Sequence, residues 1–167
     1  MNINIHKSNK RGQADYGWLK ARYSFSFANY YDPSRQRFGV LRVLNDDTID
    51  GGGGFDTHPH NNMEIITIPL KGSLEHRDSL GHTSEIREGE VQYMSAGSGV
   101  THSEYNASVK DSLNLLQIWI FPKTKNTSPV YNQINLEGKR EQNKIQTIVS
   151  PAGGENIIGI GQDAWLS

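Results

Sequence analysis

Residues 51–65, GGGGFDTHPHNNMEI, place two histidines, His58 and His60, on either side of Pro59 after a run of four glycines. The proline disfavours helical geometry at His58 and favours an extended chain. In an extended chain, residues two apart point to the same face, about 7 Å apart for a rise of ~3.3 Å per residue. The two imidazoles are therefore placed to converge on one ion, but a histidine pair alone is also common in ordinary loops and needs partners.

The partners lie in AGSGVTHSEYN, residues 96–106, where His102 and Glu104 repeat the same spacing. Three histidines and one carboxylate are a suitable ligand set for a divalent ion such as Fe(II), Ni(II), Zn(II), Mn(II) or Cu(II). The chain contains no cysteine, so thiolate ligands are excluded and any metal must be held by nitrogen and oxygen atoms.

The composition bounds the class of protein. A chain of 167 residues suits one domain, or one domain with an appendage. A net charge of −1 gives no reason to expect binding to nucleic acid or to an anionic membrane. The first residues lack the apolar segment of a signal peptide, and no run is long enough to span a membrane as a helix. We therefore expect a soluble, cytoplasmic protein.

Short apolar runs alternate with glycine-rich or polar turns, and this pattern predicts an all-β sandwich or barrel. The clearest runs are RFGVLRVLNDD at 37–47, MEIITIPLKG at 63–72 and SLNLLQIWIFP at 112–122. No long helical period precedes Pro122. The polar segment that follows predicts a linker over residues 123–135, and two further apolar runs occur within residues 136–167.

These motifs carry a resemblance to a known family. Gly52, His58-Pro59-His60 and Glu64 resemble the first cupin motif, and Gly99-Val100-Thr101-His102 with Asn106 resembles the second. More specifically, the order of HPH, GSLEHRDSLG, EGEVQYMSAGSGVTHSE and LQIWIFP is similar to that in pirins. The opening segment resembles bacterial pirin-like proteins with quercetin 2,3-dioxygenase activity.

The resemblance implies an all-β cupin barrel (a double-stranded β-helix, or jelly roll) with a short C-terminal appendage. It implies one divalent metal ion held by His58, His60, His102 and Glu104, with Glu104 also acting as the catalytic base. Fe(II) is the ion we expect first, with Ni, Mn, Zn, Cu or Co as alternatives. Glu64 has the same strand parity as the two histidines, so it is expected to face the cavity. It is also a possible metal ligand, but a less favoured one than Glu104.

Pirins resemble this chain but contain two cupin domains. We therefore expect a pirin-type cupin domain at 1–122, a linker at 123–135, and the start of a truncated second cupin domain at 136–167. The final run carries apolar side chains for which a second domain would normally provide cover: Ile157, Ile158, Ile160, Trp165 and Leu166. We expect this tail to pair with a second chain and form a homodimer.

Two functions follow from the resemblance. The first is a metal-dependent dioxygenase that opens a flavonol such as quercetin with O2 and releases carbon monoxide. The alternative is a metal-bearing regulatory or binding protein without physiological quercetinase activity. A sugar isomerase is a weaker third reading. An open pocket of flavonol size beside the metal would favour the enzyme over the regulator.

Several residues have a plain structural interpretation beside the functional one. His76 either lines the cavity or packs in the core, and the sequence favours neither. We expect His82 to be exposed in a turn, Asn106 to fix a turn, and Trp119 and Phe121 to be strand core. The glycine run lacks the GK[ST] signature of a phosphate-binding loop, so we expect it to be a flexible entry to the histidine strand.

Overall fold

The computed structural model describes residues 5–139 and 141–167, and strands dominate it. A short 3₁₀ helix, Ser8–Lys10, precedes the first strand. No helix within these ranges is both long and apolar enough to cross a membrane. The strands in chain order are β1 (Gly12–Asp15), β2 (Leu19–Tyr23), β3 (Leu41–Ile49), β4 (Gly54–His60), β5 (Glu64–Lys71), β6 (Ser73–Asp78), β7 (Thr83–Arg87), β8 (Glu90–Ser95), β9 (Val100–Asn106), β10 (Leu113–Ile120), β11 (Val130–Asn135), β12 (Val149–Ser150) and β13 (Ile158–Gly159).

The strands form two main sheets. The larger sheet has the order β1-β2-β3-β10-β5-β8-β11, and the smaller has the order β4-β9-β6-β7. Consecutive strands of the chain repeatedly cross from one sheet to the other, as β3, β4 and β5 do, and the strand pairs within both sheets are antiparallel. This is a jelly roll, so the predicted all-β cupin architecture is confirmed.

Two apolar clusters join the sheets. One contains Leu19, Ile49 and Leu115 of the larger sheet with Leu74 of the smaller. The other contains Ile65 and Met94 with Val100 of β9. Inward positions alternate along each strand, and β3 is buried at every second residue from Val43 to Ile49. The inner faces therefore meet in one interior, and polar side chains within it need a specific reason to be there.

The glycine run is required by close packing. A Cβ atom on Gly54 would lie 2.4 Å from the ring of Tyr105, and one on Gly51 would lie 2.6 Å from the backbone of Val109 and Lys110. Neither position accepts a side chain, because such distances fall well inside van der Waals contact. The run leads into the histidine strand as predicted, but its glycines serve close packing of β4 against β9 and not only flexibility.

Part of the predicted linker is structured. Residues 130–135 form β11, which pairs with β8 at the edge of the larger sheet. Beyond it, β12 and β13 form a small parallel pair. The division into residues 1–122, 123–135 and 136–167 stays a prediction. The segment 123–135, which was predicted to be a linker, contributes β11 to the larger sheet.

The expectation that the tail finds its cover on another chain is wrong for its central residues. Ile158 and Ile160 are buried within the same chain, in a cluster with Ile66, Ile118 and Ile120 on the outer face of the larger sheet. The tail folds back because this face presents apolar side chains from several adjacent strands, and burying them is favourable. Trp165 stays 67% exposed, and the homodimer itself stays a prediction.

We predict that Ile158→Ala lowers the free energy of unfolding by about 2 to 5 kcal/mol, the usual cost of truncating a fully buried isoleucine. Chemical denaturation of the purified protein measures the change. Trp165→Ala removes a larger but exposed side chain from the same tail and should cost much less. Equal, small effects of the two substitutions would show that the tail is not docked as described.

Candidate metal centre

Three histidines of β4 and β9 converge at the inner face of the smaller sheet. His58 lies directly opposite His102 in the antiparallel register of these strands. The metal-binding atoms of His58, His60 and His102 all lie within 4.8 Å of one another. Their rings are in mutual contact, with centroids 4.5 to 4.9 Å apart. The two sequence motifs are therefore brought together in space.

Glu104 lies next to this triad but in a second group. Its carboxylate clusters with His76 and His102 within 4.8 Å, and all three residues are buried. Gln117 Nε2 lies 3.3 Å from both carboxylate oxygens and donates to them. Gln117 is itself oriented, because its Oε1 accepts a hydrogen bond from the Trp119 indole at 3.1 Å. The set of four ligands with Glu104 stays a proposal, and His102 belongs to both groups.

A hydrogen-bonded chain behind His102 sets its tautomer. Burial alone would raise the pKa of the Asp78 carboxyl, but hydrogen bonds from His82 and His76 hold the pKa below its usual value. The ionised Asp78 can only accept, so the His76 Nε2–H donates to it at 3.3 Å. His76 Nδ1 then accepts from His102 Nδ1–H at 3.4 Å. This leaves His102 Nε2 with the lone pair that a metal ligand needs.

The donor atoms fit a divalent cation. Among the described residues, no hydrogen-bond partner lies within reach of the buried His102 Nε2, and an unpaired buried nitrogen is costly unless something binds it. His58 Nδ1 donates to the Asp56 carbonyl oxygen at 2.7 Å, so its Nε2 also carries a free lone pair. Lone pairs presented by oriented neutral imidazoles are what Zn, Ni, Fe and Cu ions bind.

Burial favours the neutral forms of His60, His102, Glu104 and Asp47 when no ion is present. Burial, with the neighbouring His58, lowers the pKa of His60 to about 4. Burial, followed by the charges of His58 and His60, lowers the pKa of His102 to about 2. In the opposite direction, burial and the charge of Asp47 raise the pKa of Glu104 to about 8. Burial and Asp46 raise the pKa of Asp47 to about 7.

A cavity of about 260 Å³ opens beside Glu104 and His58. Three aromatic side chains form much of its wall, and three polar side chains of the larger sheet face it: Phe27, Phe55, Trp119, Asn45, Asp47 and Gln117. Trp119 also packs edge-on against His60, with ring centroids 4.9 Å apart. The volume is just below the ~300 to 1,000 Å³ usual for small-molecule sites, so it suits a small aromatic ligand or the reacting end of a larger one.

The suggestion that Glu64 faces the cavity is wrong. Glu64 is buried on the outer face of the larger sheet, where its carboxylate accepts hydrogen bonds from Tyr93 and Ser95. The alternation of faces along one strand does not relate Glu64 to His60, because the two residues belong to different strands in different sheets. The connecting loop includes Asn62 at φ +47°, and a loop does not preserve the alternation of faces.

Other sequence interpretations have clear outcomes. The Asn106 amide donates to the carbonyls of Ile49, Asp50 and Asp111, so it fixes the turns at the end of the sheet as predicted. His76 is fully buried behind His102 rather than lining the cavity. His82 is only partly exposed, because its ring donates to Asp78 at 2.8 Å. Trp119 lies at the cavity wall, which corrects its assignment to strand core.

The sequence reasoning missed most of the cavity. Asn45, Asp47 and Gln117 are polar residues at inward positions of β3 and β10. Phe27 lies far before the histidine motif in the chain, and Phe55, three residues before His58, carries no metal-binding atom that would single it out. A signal exists in RVLNDDTI, where Asn45 and Asp47 share the strand parity of Val43 and Ile49. Polar residues at strand positions that point into the core are typical of a binding site in the protein interior.

A jelly roll with histidines and a carboxylate from two facing motifs defines a metal-binding cupin. The pirin family model matches residues 4–120. A quercetin 2,3-dioxygenase of Escherichia coli (strain K12) is 45% identical over 164 residues, which are 98% of this chain and 70% of that protein. A pirin-like protein of Caulobacter vibrioides is 45% identical over 141 residues, 84% of this chain and 60% of its own. The chain belongs to the pirin family.

Solved structures agree. The bacterial pirin YhhW of Escherichia coli, in complex with nickel(II), superimposes with a TM-score of 0.88 at 46% identity. The match covers 94% of this chain and 66% of that one, so the chain spans about two thirds of the relative's length. Together with the histidine cluster, the nickel complex of this relative supports a divalent metal site in the present chain.

We predict that protein purified without chelator holds about one divalent ion per chain and that His58→Ala or His102→Ala loses it. Each substitution removes one of the three converging lone pairs and leaves the group with two histidines. Elemental analysis of the purified protein measures the ratio. His6→Ala, at a histidine outside the cluster, is the control. Full metal content in the double variant His58→Ala/His60→Ala would place the ion elsewhere.

We also predict that metal affinity rises with pH up to about 8. Glu104 has a pKa of about 8 in the metal-free protein, so below that pH a bound ion must displace its proton. The apparent affinity should fall about tenfold for each pH unit below 8. Competition titrations with a chelator between pH 6 and 8.5 measure it. The step should vanish in Glu104→Gln, and a flat profile in the unaltered protein would exclude Glu104 as a ligand.

Proposed function

We propose that this protein is a metal-dependent dioxygenase that opens a flavonol such as quercetin with O2. His58, His60, His102 and Glu104 would hold one divalent ion, with Fe(II) as the first expectation and Ni, Mn, Zn, Cu or Co as alternatives. The similarity to the quercetin 2,3-dioxygenase of Escherichia coli supports this reading. The match covers about two thirds of the length of the Escherichia coli relatives. The activity of the whole protein is therefore stated as a proposal.

One observation carries the proposal. The cavity that reaches Glu104 and His58 is walled by the rings of Phe27, Phe55 and Trp119. Aromatic walls bind the faces of a planar aromatic substrate, and His58 and Glu104 line the same cavity. A closed metal site used only for structure or for regulation would have no need of such an opening next to its ligands.

The chain supplies a base at the right place. A bound divalent ion would act as a Lewis acid that makes a coordinated hydroxyl more acidic. Glu104 would accept the proton of the substrate hydroxyl at a carboxylate oxygen. Once the ion had displaced its own proton, Glu104 would be an unprotonated carboxylate beside the reacting hydroxyl, as a general base requires. Gln117 Nε2 donates to the same carboxylate and holds it towards the cavity.

The alternative is a metal-bearing pirin-like regulator without physiological quercetinase activity. Both functions need the histidine cluster, but only the enzyme needs a base that faces an aromatic cavity. Turnover and metal content measured on the same sample of a Glu104 variant therefore separate the two, because a variant that still holds the ion but lacks the base is impaired only as an enzyme.

We predict that Glu104→Gln lowers kcat for quercetin by about 10² or more, because general base catalysis contributes about 10² to 10⁴. Oxygen uptake and carbon monoxide release measure turnover, and elemental analysis of the same sample reports the metal. Glu64→Gln is a matched control, because it makes the same change at another buried glutamate, on the outer face of the larger sheet.

Turnover near that of the unaltered protein is expected for Glu64→Gln. The proposal fails if metal-loaded Glu104→Gln turns over quercetin normally. It fails equally if the unaltered, metal-loaded protein consumes no O2 with any flavonol, which would favour the regulatory alternative.

A further inference from the structure

Two hydrogen-bond acceptors face the cavity without partners. Asn45 and Asp47 lie on β3 and are 3% and 5% exposed. Both line the cavity that contains Glu104. Within the ranges that the structure describes, neither Asn45 Oδ1 nor Asp47 Oδ1 has a hydrogen-bond partner. Burying an acceptor in this way costs free energy unless a ligand supplies the missing donor.

On the side of β10, the neighbouring side chains supply no free donor to either acceptor. Asn45 stands opposite Gln117 in the register of β3 and β10, but the Gln117 amide is committed to Glu104 and to the Trp119 indole. Asp47 stands opposite Leu115, which has no polar atom on its side chain. The adjacent Asp46 faces the other way, where Asn114 donates to it at 2.9 Å. The unpaired acceptors are thus confined to the cavity side of β3.

We propose that Asn45 and Asp47 accept hydrogen bonds from hydroxyl groups of an aromatic substrate, and that they select polyhydroxylated rings over bare ones. This inference rests on the proposed function and adds a specificity to it. The aromatic walls do not distinguish a polyhydroxylated ring from a bare one, because the face of the ring is apolar in both ligands. The two acceptors distinguish them, because a bare ring leaves both acceptors buried and unpaired.

The test compares two flavonols on zinc-loaded protein without O2. Quercetin and 3-hydroxyflavone share the 3-hydroxyl and the ketone, but 3-hydroxyflavone lacks the other hydroxyl groups. Any contribution of the metal is therefore common to both, and the ratio of their Kd values reports the remaining hydroxyls. Quenching of tryptophan fluorescence measures both constants, since Trp119 lines the cavity.

We expect the unaltered protein to prefer quercetin by at least tenfold and the preference to shrink by at least tenfold in Asn45→Leu and Asp47→Leu. Leucine has a similar volume and removes the acceptor, so binding of 3-hydroxyflavone should persist or tighten. Asp47→Asn keeps the shape and should lose part of the preference, which covers the case of a leucine variant that does not fold. Glu64→Gln, on the outer face of the larger sheet, should leave the ratio unchanged.

The outcomes separate the two proposals. The inference is overturned if the preference for quercetin over 3-hydroxyflavone is unchanged in Asn45→Leu, Asp47→Leu and Asp47→Asn. This holds whether or not the protein turns over quercetin. A preference that is lost in those variants supports it, even if the unaltered protein fails to oxidise quercetin and the proposed function falls. Failure of the unaltered protein to bind either compound overturns both.

Discussion

The antiparallel register of β4 against β9 is the constraint on which the rest of the site depends. It sets His58 opposite His102, so two motifs more than forty residues apart meet at one point. The register in turn needs the glycines, since side chains at positions 51 and 54 would collide with the backbone at 109–110 and with Tyr105. A shift of one residue would turn every side chain of β4 to the other face. The glycine run therefore serves the metal centre through packing.

The interior around that point is polar. His76, His102 and Glu104 are buried from one sheet, and Asn45, Asp47 and Gln117 from the other. Such a layer stabilises the fold less than apolar packing would. Its cost is offset where hydrogen bonds link its members, as in the chain from Asp78 through His76 to His102. Among these six side chains, the atoms left without a hydrogen-bond partner are His102 Nε2, at the metal position, and Asn45 Oδ1 and Asp47 Oδ1, on residues that line the cavity.

The sequence was sufficient for the fold class and for the residues of the histidine cluster. Spacing places His58 with His60 and His102 with Glu104, and short strands with glycine turns predict the architecture. Parity could not place Glu64, because a loop and a change of sheet intervene. Nor could it find Asn45 or Gln117, since the face that a polar residue occupies depends on which sheet packs against it. The docking of Ile158 depends on an outer apolar face that only the assembled sheet creates.

His102 belongs to two overlapping donor groups, one with His58 and His60 and the other with His76 and Glu104. Our interpretation assigns His76 to orienting His102 and Glu104 to the ion. The most direct test is a crystal structure of the nickel-loaded protein with anomalous diffraction at the nickel edge. We predict one anomalous peak bonded to His58, His60, His102 and Glu104, with His76 still hydrogen-bonded to Asp78. A peak bonded to His76, or one with Glu104 turned away and Glu64 in its place, would contradict the assignment.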